Sequence, residues 1–433
     1  MTTLRTIARD ERGVAVVVGL IALLSLTALV LAFLAMSSYE PQIAANLATG
    51  TQARYLAEAG IEAAFDGLAN TADWSTAIAS ATCSQGVIAP GTTQNGTLPG
   101  MTSAFGTFTV RVRNDCNGGD DAITGVTLDT GGATSDTNMK LILVSTGTVG
   151  SASKSITVVI QKVTLPTMNA ALAFPGLNAD VDFSGSAFTI SGVDTNTNGT
   201  AGSGAPVYGI SVGVAGNEAT VDTSLANNQQ NSVTGKSQSD PSATSTGDNT
   251  VAYDTALTSS AVTNFVNTLK KVADVTITAP SGSPYSISGV GSTCGSDINS
   301  STCWGTDAHP KIVYVKGNST GATSADALDI SGNSSGSGIL IVENGNMDIT
   351  GTFNWNGPVI VTGTGVKIRY HGGGDQSIYG AVIVNELYND GSTNVEADIA
   401  GNAKIYYSTQ AITNAMNGVG GRKLMSLYSW QEQ

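Results

Sequence analysis

Charge is scarce in this chain. Only 12% of its 433 residues are charged, and 19 scattered basic residues face 33 acidic ones, for a formal charge of -14. Phosphate recognition needs clustered Lys and Arg, so nucleic acid is excluded as an expected partner. Aromatics are thin at 6%, histidines number two and cysteines four. His309 and His371 lack the spacing of a ligand pair, and no Cys lies two to four residues from another, which argues against zinc. No Walker motif, G-x-S-x-G or dinucleotide fingerprint stands in a credible context.

What fills the space is glycine, at 52 copies, with Ser, Thr, Asn and Ala. That palette predicts a β-rich, turn-rich protein. The length exceeds one ordinary compact domain, although a repetitive elongated domain could absorb most of it. Cys83 and Cys116, and Cys294 and Cys303, form two sequence-local couples that suit disulfides in an oxidising compartment. Sequence leaves three connectivities open, with buried free thiols as the other reading.

Residues 14–36 carry no charge and are interrupted only by Gly19, Ser25 and Thr27. A helix of that length spans about 35 Å, enough for a bilayer. Arg5, Arg9 and Arg12 precede it, which keeps the leader cytoplasmic and sends the chain beyond Met36 outside. The run exceeds the apolar core of a removable signal, and no convincing small-x-small site comes after it. A plain signal anchor passes the same hydropathy test.

The leader ends in Arg12-Gly13, the apolar helix comes next, and after it TQARYLAEAGIEAA at residues 51–64. Over roughly the first 70 residues this resembles the PilX-type minor pilins of type IV pili, most specifically in the Gly13 junction and the Ala57-Glu58-Ala59-Gly60 motif. The resemblance implies that prepilin peptidase cuts after Gly13 and methylates Val14. It also implies that the helix is kept, first as an inner-membrane anchor and then as the element packing against other pilin-like subunits in an extracellular filament. Major pilins carry Glu at the fifth mature position, thought to pair with a neighbour's terminal amine; here that position is Val18. A lone carboxylate in hydrocarbon is costly unless paired, so its absence removes the drive to sit beneath another subunit. Similar subunits lacking it include ones at the filament tip, so a tip or initiating position is expected, with a few copies along the shaft as the other placement.

The expected fold is mainly β with a long N-terminal α-helix, kinked at Pro41. The parts are a leader (1–13), a transmembrane and assembly segment (14–36), a helix extension (37–72), a small β head (73–165), a β-helix-like domain (166–412) with an insertion at about 195–280, and a tail (413–433). In the extension, Arg54, Glu58, Glu62 and Asp66 form a polar stripe, while Ile61, Phe65 and Leu68 face a core. In the head, FGTFTVRVRN (105–114) alternates with the period of a half-buried strand. The later repeat reads VDFSG at Val181, LDISG at Leu328, MDITG at Met347 and ADIAG at Ala397, echoed by FTISG at Phe188 and YSISG at Tyr285. Apolar runs such as KIVYV (311–315) and AVIVN (381–385) interleave with it, as rungs of a parallel β-helix would; a β-sandwich is the architectural alternative. The repeat Asp residues are expected to cap turns. Within the insertion, residues 254–274 read as an amphipathic helix.

Chemistry is sparse. β-Helices host polysaccharide enzymes, and Lys367, Arg369 and His371 share one side of a strand, but a solvated face explains them as well. No catalytic residue is assigned and no cofactor is expected, with one calcium candidate. Asp194, Asn196 and Asn198 in DTNTNG match the start of a calcium loop, yet Ala205 stands where the twelfth-position Glu belongs. A surface adhesin and, less favoured, an anchored carbohydrate-active enzyme are the alternatives to a filament subunit.

Overall fold

The computed structural model describes residues 11–432 except 72, 125, 164, 321–323, 389–394 and 420–423. A long apolar N-terminal helix leads into a β-rich body, and the chain divides into two compact units, residues 1–161 with 427–433, and residues 162–426.

In the first unit, α1 (Glu11–Ala69) runs 59 residues, about 88 Å at 1.5 Å per residue. Ala, Leu, Gln and Glu favour this conformation, and the helix continues through Pro41, which removes one main-chain donor. Strands β1 (Val87–Ile88), β2 (Thr107–Asn114), β3 (Lys140–Val149) and β4 (Ala152–Lys162) form an antiparallel sheet in sequence order. Alternation does the sorting in β2, where Phe108, Val110 and Val112 are buried. Against them pack Ala53, Leu56, Ala57, Ile61, Ala64 and Leu68 of α1, all buried.

Two elements are described where a tail was expected. Thr409–Val419 is a helix, and the Met425–Glu432 strand takes the place beside β4 as the fifth strand of the head sheet. Glu432 meets Arg54 at 3.3 Å and Lys154 at 4.0 Å, and the Lys140 ammonium lies 4.8 Å from the Tyr428 ring centre.

In the second unit, strands from Val275 to Tyr407 alternate in sequence between two parallel sheets. One sheet stacks Val275–Thr278, Lys311–Lys316, Asn333–Glu343, Thr352–Gly363, Asp375–Glu386 and Asn402–Tyr407. The other stacks Tyr285–Ser288, Asp326–Ser331, Asn346–Ile349, Ile368–Tyr370, Ala397–Ala400 and Val181–Ser184. The interleaved apolar runs fall into register, Val313 on Leu340, Val359 and Val382, and build one continuous core. Four repeat units close at Gly185, Gly332, Gly351 and Gly401 with φ between 65° and 82°, a corner that a β-carbon disfavours.

Three expectations need correction. Residues 195–280 do not form an insertion outside the rungs, because Tyr208–Val212 pairs in parallel with both Ala170–Phe174 and Val251–Tyr253 and so extends the first sheet. The helix expected over 254–274 is confined to Ser259–Leu269. Its Val262, Phe265, Val266 and Leu269 cover Ile312, Ile339, Ile360 and Ile383 on the sheet's outer face. The repeat Asp residues do not cap turns. Asp329, Asp348, Asp398 and Asp182 lie within strands and stack in one column.

Candidate functional site

The candidate site is the surface of α1, whose two halves live in different surroundings. From Val14 to Leu47 the large apolar side chains are all exposed, for example Val14 at 61%, Leu24 at 68% and Leu47 at 70%. This stretch is long and apolar enough to cross a membrane. Leaving so many apolar groups in water costs roughly 1.5–3 kcal/mol for each side chain, so the surface calls for lipid or other apolar helices. From Ala53 onward the same helix is seated on β2 and β3.

Residues 1–10 of the leader lie outside the described residues; α1 already includes Gly13 and Val14. Val18, at the position an acidic residue would hold, is 59% exposed.

The four-residue motif sits at the changeover. Ala57 is fully buried, Ala59 half-buried, and a β-carbon on Gly60 would stand 2.5 Å from Ser145 Oγ and 2.7 Å from Val110 Cγ2. Opposite, a β-carbon on Gly147 would lie 2.0 Å from the Ala53 carbonyl oxygen. Small residues on both partners therefore let helix and sheet approach closely. Glu58 accepts from Arg54 Nε at 3.0 Å, and Gln52 donates to the Phe105 carbonyl at 2.8 Å. Beside the motif, a groove of about 670 Å³ is lined by Ala59, Glu62, Thr93, Leu98, Pro99 and Phe108.

Cys83 and Cys116 are joined, as are Cys294 and Cys303. The first bond ties the segment before β1 to the residues just after β2. The second closes a nine-residue separation beside the Lys311–Lys316 strand.

The side chains of the calcium candidate take part in protein hydrogen bonds. Asp194 accepts from the Thr409 N–H at 2.8 Å and the Gly204 N–H at 2.6 Å, while Asn198 accepts from the Thr200 N–H at 3.0 Å. Asn196 donates to Thr200 Oγ1 and the Ala201 carbonyl. Asp194 thus fastens its loop to the start of the Thr409–Val419 helix.

The column of strand carboxylates is interrupted by Arg369, which contacts Asp326 and Asp348 at 2.7 Å each, and His371 also meets Asp348. Burial raises the pKa of Asp398, and Asp182 beside it adds to the rise. Residues 368–372, IRYHG, occupy the rung between the Met347 and Ala397 units. Sequence reasoning missed this unit because Arg replaces its Asp; the apolar-x-apolar-x-Gly frame was the available signal.

No protein-family model matches the chain, and no curated protein matches it. Among solved structures it is similar to the competence-associated pilin ComZ from Thermus thermophilus, at 13% identity over 89% of this chain and 98% of that one, with a TM-score of 0.25.

Proposed function

We propose that this chain is a minor subunit of a type IV pilus or related filament. Residues 14–36 hold it in the inner membrane, prepilin peptidase removes residues 1–13, and the apolar half of α1 then packs among other subunits' helices while the β-rich body is displayed outside. The observation that carries this reading is the division of one continuous helix, exposed and apolar before residue 48 and buried on an antiparallel sheet from Ala53. Val18 supports a tip or initiating position, and a 265-residue second unit would crowd a position repeated along a shaft. The proposal includes no catalysis; Arg369 pairs with Asp348 of the carboxylate column and with Asp326 beside it.

Intact mass spectrometry of the chain from its native cell tests the proposal. A terminus at N-methyl-Val14, lost in Gly13→Ala, supports it. A terminus at Met1 in the wild-type chain sinks it. Gold labelling of the second unit on isolated filaments separates tip from shaft.

A further inference from the structure

The second unit carries a polar cavity at its sheet surface. Residues 291–307 lie against the Asn333–Glu343 strand, where the Ser335 N–H donates to the Val290 carbonyl at 2.8 Å and the Ser337 N–H to the Trp304 carbonyl at 3.3 Å. A β-carbon on Gly291 would stand 2.4 Å from the Ser335 carbonyl oxygen, and one on Gly305 2.2 Å from that of Ser337. Both glycines also have positive φ, 85° and 92°, so this close approach needs glycine at each. The Cys294–Cys303 bond closes the segment on itself. Between segment and sheet is a cavity of about 260 Å³, lined by Thr306, Asp307, Ser335, Ser337, Asn354 and Asn356 with three glycines and Cys294.

Alternation sorts the strand side chains. Trp355 is buried in the core, so Asn354 and Asn356 on either side of it stand on the outer face. Register sets Ser335 beside Asn354 and Ser337 beside Asn356. Asn356 Nδ2 donates to Asp307 Oδ1 at 2.9 Å and so orients that carboxylate. Among the described residues, the Ser335 hydroxyl, the Asn354 amide and Asp307 Oδ2 have no hydrogen-bond partner. On the next rungs Asn356 is in register with Tyr379, and Tyr379 with Tyr406; these two rings stack with centres 5.2 Å apart.

The lining selects a ligand class. Among the described residues no Lys or Arg and no large apolar side chain lines the cavity, which leaves a phosphate without a counter-charge and a protein partner without an anchor. Asp307 also repels anions. What remains is carboxylate, amide and hydroxyl, and the amide and hydroxyl groups each donate and accept. Neighbouring hydroxyls of a sugar do the same, and the tyrosine pair on the next rungs offers ring surface for a sugar's apolar face. We propose that this cavity binds a neutral glycan, held by Asp307, Asn354 and Ser335, with a longer chain running across the strands toward Tyr379. Neighbouring rungs are about 4.8 Å apart, close to the length of one sugar unit. Glycan binding here does not require filament assembly, so the two can fail separately.

The test screens the full chain, in a detergent without a sugar headgroup, on a panel of neutral and acidic oligosaccharides and titrates the tightest neutral one by calorimetry. The expected result is saturable binding of a neutral oligosaccharide at millimolar concentration or below, little changed by high salt. Asn354→Ala weakens it about three- to tenfold, Asn354→Ala with Ser335→Ala weakens it further, and Asp182→Asn on the other sheet leaves it unchanged. Asn354 and Ser335 are both exposed, so their variants keep the fold. Hydrogen exchange with the oligosaccharide bound shows new protection in peptides covering residues 333–337 and 352–357. Absence of binding by any neutral oligosaccharide at millimolar concentration, tighter binding of the acidic ones, an affinity unchanged in Asn354→Ala, or protection confined to other peptides overturns the proposal.

Discussion

Arg113 and Asp120 form a two-pronged ion pair, Nη1 to Oδ2 at 2.5 Å and Nη2 to Oδ1 at 2.7 Å, with side chains only 14% and 4% exposed. The same Nη1 donates to the Cys83 carbonyl at 3.0 Å, so one guanidinium ties the end of β2 to the disulfide and to the turn at Asp120. Removing one partner of a buried pair leaves the other's charge without compensation, which typically costs about 3–5 kcal/mol. Arg113→Ala should therefore strongly destabilise the first unit, and Arg113→Met with Asp120→Leu should cost clearly less. Hydrogen exchange of β2 and β3 peptides reads this unit separately; equal losses in both variants would contradict the argument.

The two disulfides should matter unequally. They close separations of 33 and 9 residues, and chain-entropy reasoning gives about 3.7 and about 2.6 kcal/mol respectively. Replacing Cys83 and Cys116 by Ser should lower protection of the head more than replacing Cys294 and Cys303 lowers protection of the Lys311–Lys316 rung. The reverse order would show that unfolded-state entropy does not govern them.

Close approach of helix and sheet makes a third prediction. A β-carbon on Gly67 would stand 1.9 Å from the Pro90 carbonyl oxygen, a main-chain atom that cannot swing aside. Gly67→Ala should cost at least about 1–3 kcal/mol, as overpacking does. On the exposed half, Gly19 has nothing within 4 Å of such a carbon, so Gly19→Ala should leave folding unchanged and offers a matched control. Comparing the melting temperatures of the two variants decides the point.

Much of this architecture was legible in residue patterns, and the misses share a cause. The long helix showed itself through an uncharged run, and the rungs through a five-residue frame whose closing glycine marks a corner. Between 195 and 280 the frame disappears into Gly, Ser, Asn and Thr. There pairing is carried by main-chain hydrogen bonds to strands distant in sequence, such as Tyr208–Val212 on Ala170–Phe174. The final strand escaped for the same reason: MSLYSWQE has period-two character, but its partner β4 lies more than 260 residues earlier. The buried aspartates between β2 and β3 read as ordinary turn residues, because burial depends on how the loop folds back over Asn114.

The carboxylate column gives a salt-dependent prediction. Neighbouring rungs bring Asp329, Asp348, Asp398 and Asp182 within about 5 Å steps along the sheet, and Arg369 stands in the middle. Arg369→Gln removes the cation that bridges Asp326 and Asp348 and leaves like charges facing one another. Because these groups are partly exposed, the expected loss is modest, about 1 kcal/mol. The gap in melting temperature between wild type and variant should narrow in 1 M NaCl, where the screening length is about 3 Å. A gap that ignores salt would point to lost packing of the arginine stem.

Asp222 supplies a pH dependence whose sign is set by its surroundings. It lies in the Asn217–Ser224 helix with Oδ1 buried and unpartnered; burial, then the nearby charges of Asp248 and Glu218, push its pKa up to about 6. An unfolded aspartate titrates near 3.9, so between these values the folded chain binds more proton than the unfolded one. Stability contributed by this group is fully present below about pH 4, declines as pH rises toward 6, and is lost above that. Asp222→Asn carries no titrating proton and should flatten the slope in peptides around residues 217–224. Asp136 has the same sign in the other unit, so a global melt would mix the two, and exchange measured peptide by peptide at pH 4.5 and 7 is the deciding experiment. Should protection around Asp222 rise with pH after correction for intrinsic exchange, a favourable partner for its charged form would have to exist.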